Sequence, residues 1–388
     1  LPRCNRLGVA CGIFLGFGSR IAHHLLFSTK DKTRLPIKIL HRRGCSRKPL
    51  YIPEPIRTAI SMLRIGVIGT GVMGQNHARV IASLGSNVQL SAVCDIDENT
   101  GKQVAKRFGA EYFKDCRELR NAVDAVVIAT PTKTHHEIAN AMIDAGKHVL
   151  VEKPLAIDVE KGLEIVEHAK AQGVVLAVGH IERHNPVVKF AKIALSKGQF
   201  GELNSMLSKR ISPFPSRVND VGVVKDIGVH EIDAQRYLAD AEVEYVSASG
   251  GRANGGKHED HASILLKFKN GKTGMINVNW LAPIRIREIE LLCNKVFVHM
   301  DYIKQEVFIS TSQIMDFNAS DAYQYPTEYN VRHIYLKKDE PLRLEIQDFV
   351  EAIRVRRRPL VDGNDGLENL RVCEAVLKAM EKGEIVEV

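Results

Sequence analysis

The chain has 388 residues, a formal net charge of +8 and 45% hydrophobic residues. That length exceeds one ordinary core and predicts two domains, while no apolar run approaches the roughly 20 residues of a membrane helix. The basic charge does not mark a nucleic-acid binder, because residues 1–61 hold twelve Lys or Arg against two acids, Asp31 and Glu54, which leaves residues 62–388 at −2.

Residues 1–61 lack helical or strand periodicity and contain HRRGCSRKP and the short apolar run GVACGIFLGFG. Three readings compete: an Arg-rich, acid-poor targeting segment, a basic tail for an acidic partner such as nucleic acid, or sequence upstream of a start at Met62. The third is preferred, since Met62 stands one residue before the first strand. The segment is expected to be disordered or poorly packed and to stay outside the core.

From Leu63, LRIGVIGTGVMGQNHARVIASLG reads as strand, glycine turn and helix. Gly69, Gly71 and Gly74 stand as G-x-G-x-x-G, with Thr70, Val72 and Met73 between them. The first glycine permits the tight turn, the second lets backbone approach a pyrophosphate, and the third lets helix pack close on strand. The helix N-terminus then presents free N–H groups to phosphate. The next strand, VQLSAVCD, ends in Asp95, 21 residues beyond Gly74, where a ribose-binding acid belongs. A carboxylate there accepts from both ribose hydroxyls and repels a 2′-phosphate, so the expected cofactor is NAD.

The alternation continues through helical ENTGKQVAKRF, strand AVDAVVIAT, helix THHEIANAMIDAG, strand HVLVEKP, helix VEKGLEIVEHAKAQG and strand VVLAVGH. This is the rhythm of a doubly wound parallel sheet. Near Glu182 it changes. Helical NPVVKFAKIALSKG precedes NSMLSKRISPF and a helix through KDIGVHEIDAQRYLA; successive strands follow from Val243 to Ser310. Residues 341–357 and 363–382 read as helices, the last packing back on the fold. The expected architecture is an N-terminal Rossmann domain, 62–183, and a C-terminal α+β domain, 184–388, with a large, mostly antiparallel open sheet for substrate binding and oligomerisation.

Several polar groups fall where chemistry is expected. Glu152, Lys153 and Pro154 end the fifth strand, at the carboxyl edge where ligands bind in such sheets. Lys153 is a proton shuttle or hydroxyl anchor, or else a surface lysine ahead of a helix-starting proline. Thr130, Pro131 and His135 follow the fourth strand and line the same cleft. His180, Glu182, Arg183 and Asn185 end the sixth strand at the domain junction, where a substrate would sit. Asp226, His230 and Asp233 share one face of a helix, so Asp226 would fix the tautomer of His230 and raise its basicity; a capping Asp beside a half-buried His is the plainer alternative. Lys209, Arg210 and Arg217 would meet an anionic substrate or form solvated surface charge. His258, Glu259, Asp260 and His261 alternate faces if they lie on a strand, so no metal is assigned. None of the seven cysteines forms C-x-x-C, which fits a reducing, cytoplasmic compartment.

Taken together, GVIGTGVMGQNHAR, Asp95, IATPTKTHH, VEKP and DIGVHEID resemble the glucose-fructose oxidoreductase, inositol dehydrogenase and rhizopine catabolism (Gfo/Idh/MocA) family over residues 63–388. The resemblance implies oxidation of a sugar or cyclitol hydroxyl with NAD(P), a catalytic set of Lys153, Asp226 and His230, a cis Lys153–Pro154 bond, and a homo-oligomer built on the second sheet. GHIERHNP and KRISPFPSRVNDVGVVKDIGVHEIDA look like the archaeal type of UDP-N-acetylglucosamine 3-dehydrogenase, with His184 where that pattern has phenylalanine. This narrower likeness implies a sugar-nucleotide substrate met by Arg183, Lys209 and Arg210, and a product passed to an aminotransferase. Alternatives are another sugar or inositol as substrate, or a non-catalytic NAD-binding regulator.

Overall fold

The computed structural model describes residues 62–85, 87–215, 221–314 and 327–388; the expectations for residues 1–61 and for Arg217 lie outside them. The first sheet, its central strands almost wholly buried, is built from short, mostly apolar runs. These are β1 (Leu63–Ile68), β2 (Val88–Cys94), β3 (Glu111–Phe113), β4 (Ala125–Ile128), β5 (His148–Val151) and β6 (Leu176–Val178). All pairs are parallel, in the order β3-β2-β1-β4-β5-β6. Strands buried on both faces need cover on both. The cover includes α1 (Val72–Ser83), α2 (Glu98–Phe108), α3 (His135–Asp144) and α4 (Val159–Gln172). The strand order reverses between β1 and β4, so the glycine turn after β1, Thr130 after β4 and Lys153 after β5 share one carboxyl edge at the switch point.

After α5 (Pro186–Ser196) the chain forms a nine-stranded sheet in the order β14-β13-β12-β11-β7-β10-β9-β8-β15. Its members are β7 (Leu203–Ile211), β8 (Val243–Gly251), β9 (His261–Phe268), β10 (Thr273–Asn279), β11 (Ile286–Cys293), β12 (Phe297–Asp301), β13 (Glu306–Ile314), β14 (Thr327–Ile334) and β15 (Val386–Glu387). The β7–β10 pair is parallel and the other pairs are antiparallel. Burial alternates along β7, β9 and β10, as expected of a sheet with one covered face. The covered face packs α5 and α6 (Val229–Ala239). On the other face Leu265, Met275 and Leu207 form a continuous row across β9, β10 and β7, all more than a third exposed.

Two C-terminal helices, α7 (Pro341–Val355) and α8 (Gly363–Lys382), follow the second sheet in sequence but pack into the first. Leu342, Ile346, Phe349 and Val350 of α7 share a core with Leu63, Ile65 and Ile81. Leu367 and Leu370 of α8 join Ile165 and Val178, while Val372, Val376 and Ala379 of the same helix join the second core. No helix among the described residues is long and apolar enough to cross a membrane.

Candidate active site

Each glycine of the turn meets a different constraint. Gly69 has φ +90°, and a Cβ there would lie 2.7 Å from the carbonyl oxygen of Ala129. A Cβ on Gly74 would lie 1.8 Å from the carbonyl oxygen of Gly69, so α1 can approach β1 only without one. A Cβ on Gly71 would meet nothing within 4 Å; the space above it is a cradle open to a ligand. Asp97, Asp158, Asn185 and Asp362 cap α2, α4, α5 and α8. The N-cap of α1 is Gly71, with no side-chain cap and no acid in its first turn. The N–H groups of Val72 and Met73 are thus left for phosphate. Asp95 Oδ2 accepts from both Thr70 N and Thr70 Oγ1 at 2.6 Å, while Oδ1 accepts from Asp97 N. That holds the carboxylate against the turn with lone pairs to spare for ribose hydroxyls. Beside it Ile96 is 87% exposed. The donor set fits a dinucleotide.

At the end of β5 the chain turns through a cis Lys153–Pro154 bond. The His135 ring ties this turn to β4, with Nδ1 2.9 Å from the Pro154 carbonyl and Nε2 2.9 Å from that of Thr130. Burial pushes the imidazole pKa down against the pull of those carbonyls. His135 is fully enclosed, so it shapes the cleft from behind. Glu152 is also buried, 2.7 Å from His77 Nε2. Burial acts to raise its carboxyl, but His77 and Lys153 outweigh it and hold the group below the usual range.

Lys153 Nζ donates to Asp226 twice, to the carbonyl oxygen at 2.6 Å and to Oδ1 at 3.0 Å. This corrects the expectation that Asp226 serves His230. Residues Val224–Gly228 form a π-helical turn ahead of α6, which carries Asp226 out of the α-helical register in which i and i+4 stack. Among the described residues the buried His230 Nδ1 atom has no hydrogen-bond partner. Burial, then the charges of Lys153 and Arg210, hold the ring well below its ordinary pKa, so it is neutral at physiological pH. The turn itself is anchored by Glu259, whose Oε1 accepts from Val224 N, and by Lys225, which donates to the Ile157 carbonyl.

The junction residues have a different part from the one expected. Arg183 is bidentate to Asp233 and also pairs with Asp365. Arg210 donates to Glu231 and to Glu182. Asn185 caps α5 and bonds Glu182 and the Tyr302 carbonyl. Arg183, Arg210, Asn185, Glu182, Glu231 and Asp233 are all at least 95% buried, and Asp365 is half-buried. A guanidinium already holding two carboxylates has no charge left for a diphosphate, so these side chains fasten α6 to its neighbours. Lys209 projects from the opposite sheet face, toward Glu288. His180 and His184 are buried and pushed down to about 4, chiefly by burial. A neutral imidazole at 184 therefore fills the place of an aromatic ring. Sequence reasoning missed His77, Glu231, Tyr302 and Arg287; only the strand register brings Arg287 beside Arg210.

The profile of the oxidoreductase family with an NAD-binding Rossmann fold matches residues 63–180, and that of the GFO/IDH/MocA C-terminal domain matches residues 188–298. The chain is 30% identical to the UDP-N-acetylglucosamine 3-dehydrogenase of Acidithiobacillus ferrooxidans over 82% of its own length and 97% of the relative. It is 28% identical to the myo-inositol 2-dehydrogenase of Thermotoga maritima over 84% of this chain and 98% of that one. The solved structure of the Acidithiobacillus enzyme superimposes with a TM-score of 0.74 at 28% identity, covering 83% of this chain and 98% of the other.

Proposed function

Because this chain belongs to the Gfo/Idh/MocA oxidoreductase family and carries its NAD-binding Rossmann domain, we propose that it oxidises the C3 hydroxyl of UDP-N-acetylglucosamine to the 3-keto sugar nucleotide. NAD, when bound, supplies the hydride acceptor. The glycine turn, Asp95, Thr130 and Glu152 would hold it. The observation that carries the reading is the meeting of Lys153, Asp226 and His230 at the carboxyl edge of the parallel sheet. Neutral His230 takes the hydroxyl proton as general base. Lys153, steered by both Asp226 oxygens, holds the substrate oxygen and stabilises the negative charge that develops there. Retention of all three groups weighs against a non-catalytic regulator.

The sugar nucleotide is preferred over a cyclitol because of the similarity to the Acidithiobacillus enzyme. The Thermotoga relative supports oxidation of an inositol as the second reading. In the preferred reading the keto product has the chemistry an aminotransferase consumes. The protein would assemble as a homo-oligomer through the open face of the nine-stranded sheet, where Leu207, Leu265, Met275, Leu292 and Phe297 are exposed.

The test is NADH formation by the purified protein with UDP-N-acetylglucosamine, UDP-glucose, N-acetylglucosamine and myo-inositol. Turnover confined to UDP-N-acetylglucosamine is expected, and turnover only with myo-inositol would replace it by the second reading. Lys153→Ala should abolish turnover and leave NAD binding intact; unchanged turnover would overturn the catalytic assignment.

A further inference from the structure

Arg287 on β11 stands opposite Arg210 on β7. Directly opposed residues of paired strands project from the same sheet face, so both guanidinium groups lie on the face that carries α6. Their surroundings differ. Arg210 is fully enclosed and holds both Glu182 and Glu231. Arg287 is partly open to solvent, and among the described residues its side chain has neither an ion-pair nor a hydrogen-bond partner. Arg285, two residues earlier, adds a second cation. Arg210, the cross-strand neighbour of Arg287, donates to Glu231, the residue next to His230 on α6, which puts the Arg287 fork of five donors on the side of the sheet where the reacting centre lies.

Resting on the dehydrogenase reading above, we propose that Arg287 is the specificity-determining cation of this site: it binds an oxyanion carried by the sugar substrate and so selects anionic sugars over neutral sugars and cyclitols. The planar guanidinium matches a phosphate or carboxylate through two parallel hydrogen bonds. Burial and the neighbouring Arg210 both act against the charge of Arg287, and Glu182 and Glu231 offset this only in part. An incoming anion relieves that cost, whereas a neutral cyclitol leaves it in place.

The experiment compares kcat/KM of wild type, Arg287→Gln and Arg287→Lys with UDP-N-acetylglucosamine, N-acetylglucosamine 1-phosphate, glucuronate, N-acetylglucosamine and myo-inositol, after matching thermal melts and NAD affinity. The Gln variant should lose roughly ten- to a hundredfold on anionic substrates, mostly in KM. The Lys variant should fall between, since it keeps the charge and loses the fork. Loss on the phosphates or on glucuronate identifies which oxyanion is read. Equal losses on charged and neutral sugars, or none, would overturn the proposal, as would a wild type that prefers neutral substrates. If the Gln variant does not fold, the Lys variant and the salt dependence of wild-type KM decide. Another anionic sugar turned over in place of UDP-N-acetylglucosamine, with the same dependence on Arg287, would remove the named substrate and leave this inference standing.

Discussion

Two groups with displaced pKa values, one in the site and one in the core, set the pH behaviour of the protein. His230 is already neutral across the physiological range, so the acid limb of kcat/KM should lie well below pH 6.5 and not follow an ordinary imidazole. His230→Gln should lower kcat by about 10²- to 10⁴-fold; a limb near pH 6.5 that this substitution removes would contradict the assignment. Glu345 on α7 is buried, and among the described residues neither carboxyl oxygen has a hydrogen-bond partner. Burial, followed by the charges of Glu152 and Asp348, raises it well above its ordinary 4.5. Above pH 4.5 the unfolded chain gives up this proton while the folded protein keeps it, so stability falls with rising pH by up to about 1.4 kcal/mol per unit until the folded pKa is reached. Glu345→Gln removes that slope. Its gain in Tm by calorimetry should be larger at pH 8 than at pH 5, and equal shifts would contradict the argument. The sequence shows a glutamate on a helix and nothing of its burial, which depends on α7 docking against the first domain.

The glycine turn and the π-helical turn show how local pattern and tertiary context divide the work. G-x-G-x-x-G was readable because the positive φ of Gly69, the open cradle at Gly71 and the approach of Gly74 to the Gly69 carbonyl all arise within one strand–turn–helix unit. The last two glycines should therefore separate by substitution. Gly71→Ala places its methyl in open space, so it should weaken NAD binding while leaving Tm nearly unchanged. Gly74→Ala drives a methyl into the Gly69 carbonyl and should cost about 1–3 kcal/mol of stability; titration calorimetry and thermal melts distinguish the two. Asp226 was harder to read. Regular i, i+4 spacing gave it to His230, but the five-residue turn Val224–Gly228 sends its carboxylate to Lys153. The π-turn is held by Glu259 and, through Lys225, by the Ile157 carbonyl, partners distant in sequence, so no helical pattern records it. Arg183 and Arg210 failed similarly: a basic residue at a domain junction reads as a substrate contact until its carboxylates, Asp233, Asp365, Glu182 and Glu231, are brought to it.

At the scale of the whole molecule, the row of Leu265, Met275 and Leu207 meets Glu290 on β11, and Leu292 and Phe297, which pair across β11 and β12, lie one pair further along the same face. In our proposal these exposed apolar side chains form the association surface. Met275→Lys places a charge at its centre and should shift light-scattering mass toward the monomer at micromolar concentration; an unchanged mass would move the interface elsewhere. The linear division into 62–183 and 184–388 follows where the alternating rhythm stops. The cores follow a different division, because α7 completes the first and α8 serves both. By itself the sequence determined the parallel sheet, the NAD-binding turn, the antiparallel character of most of the second sheet and the family, because each rests on short-range periodicity or on spacing within one unit. Tertiary structure alone decided the parallel entry of β7 beside β10, the return of α7, the pairing of Lys153 with Asp226 and the unpaired state of Arg287. Each depends on contacts between residues far apart in the chain, and such contacts leave no period in the sequence.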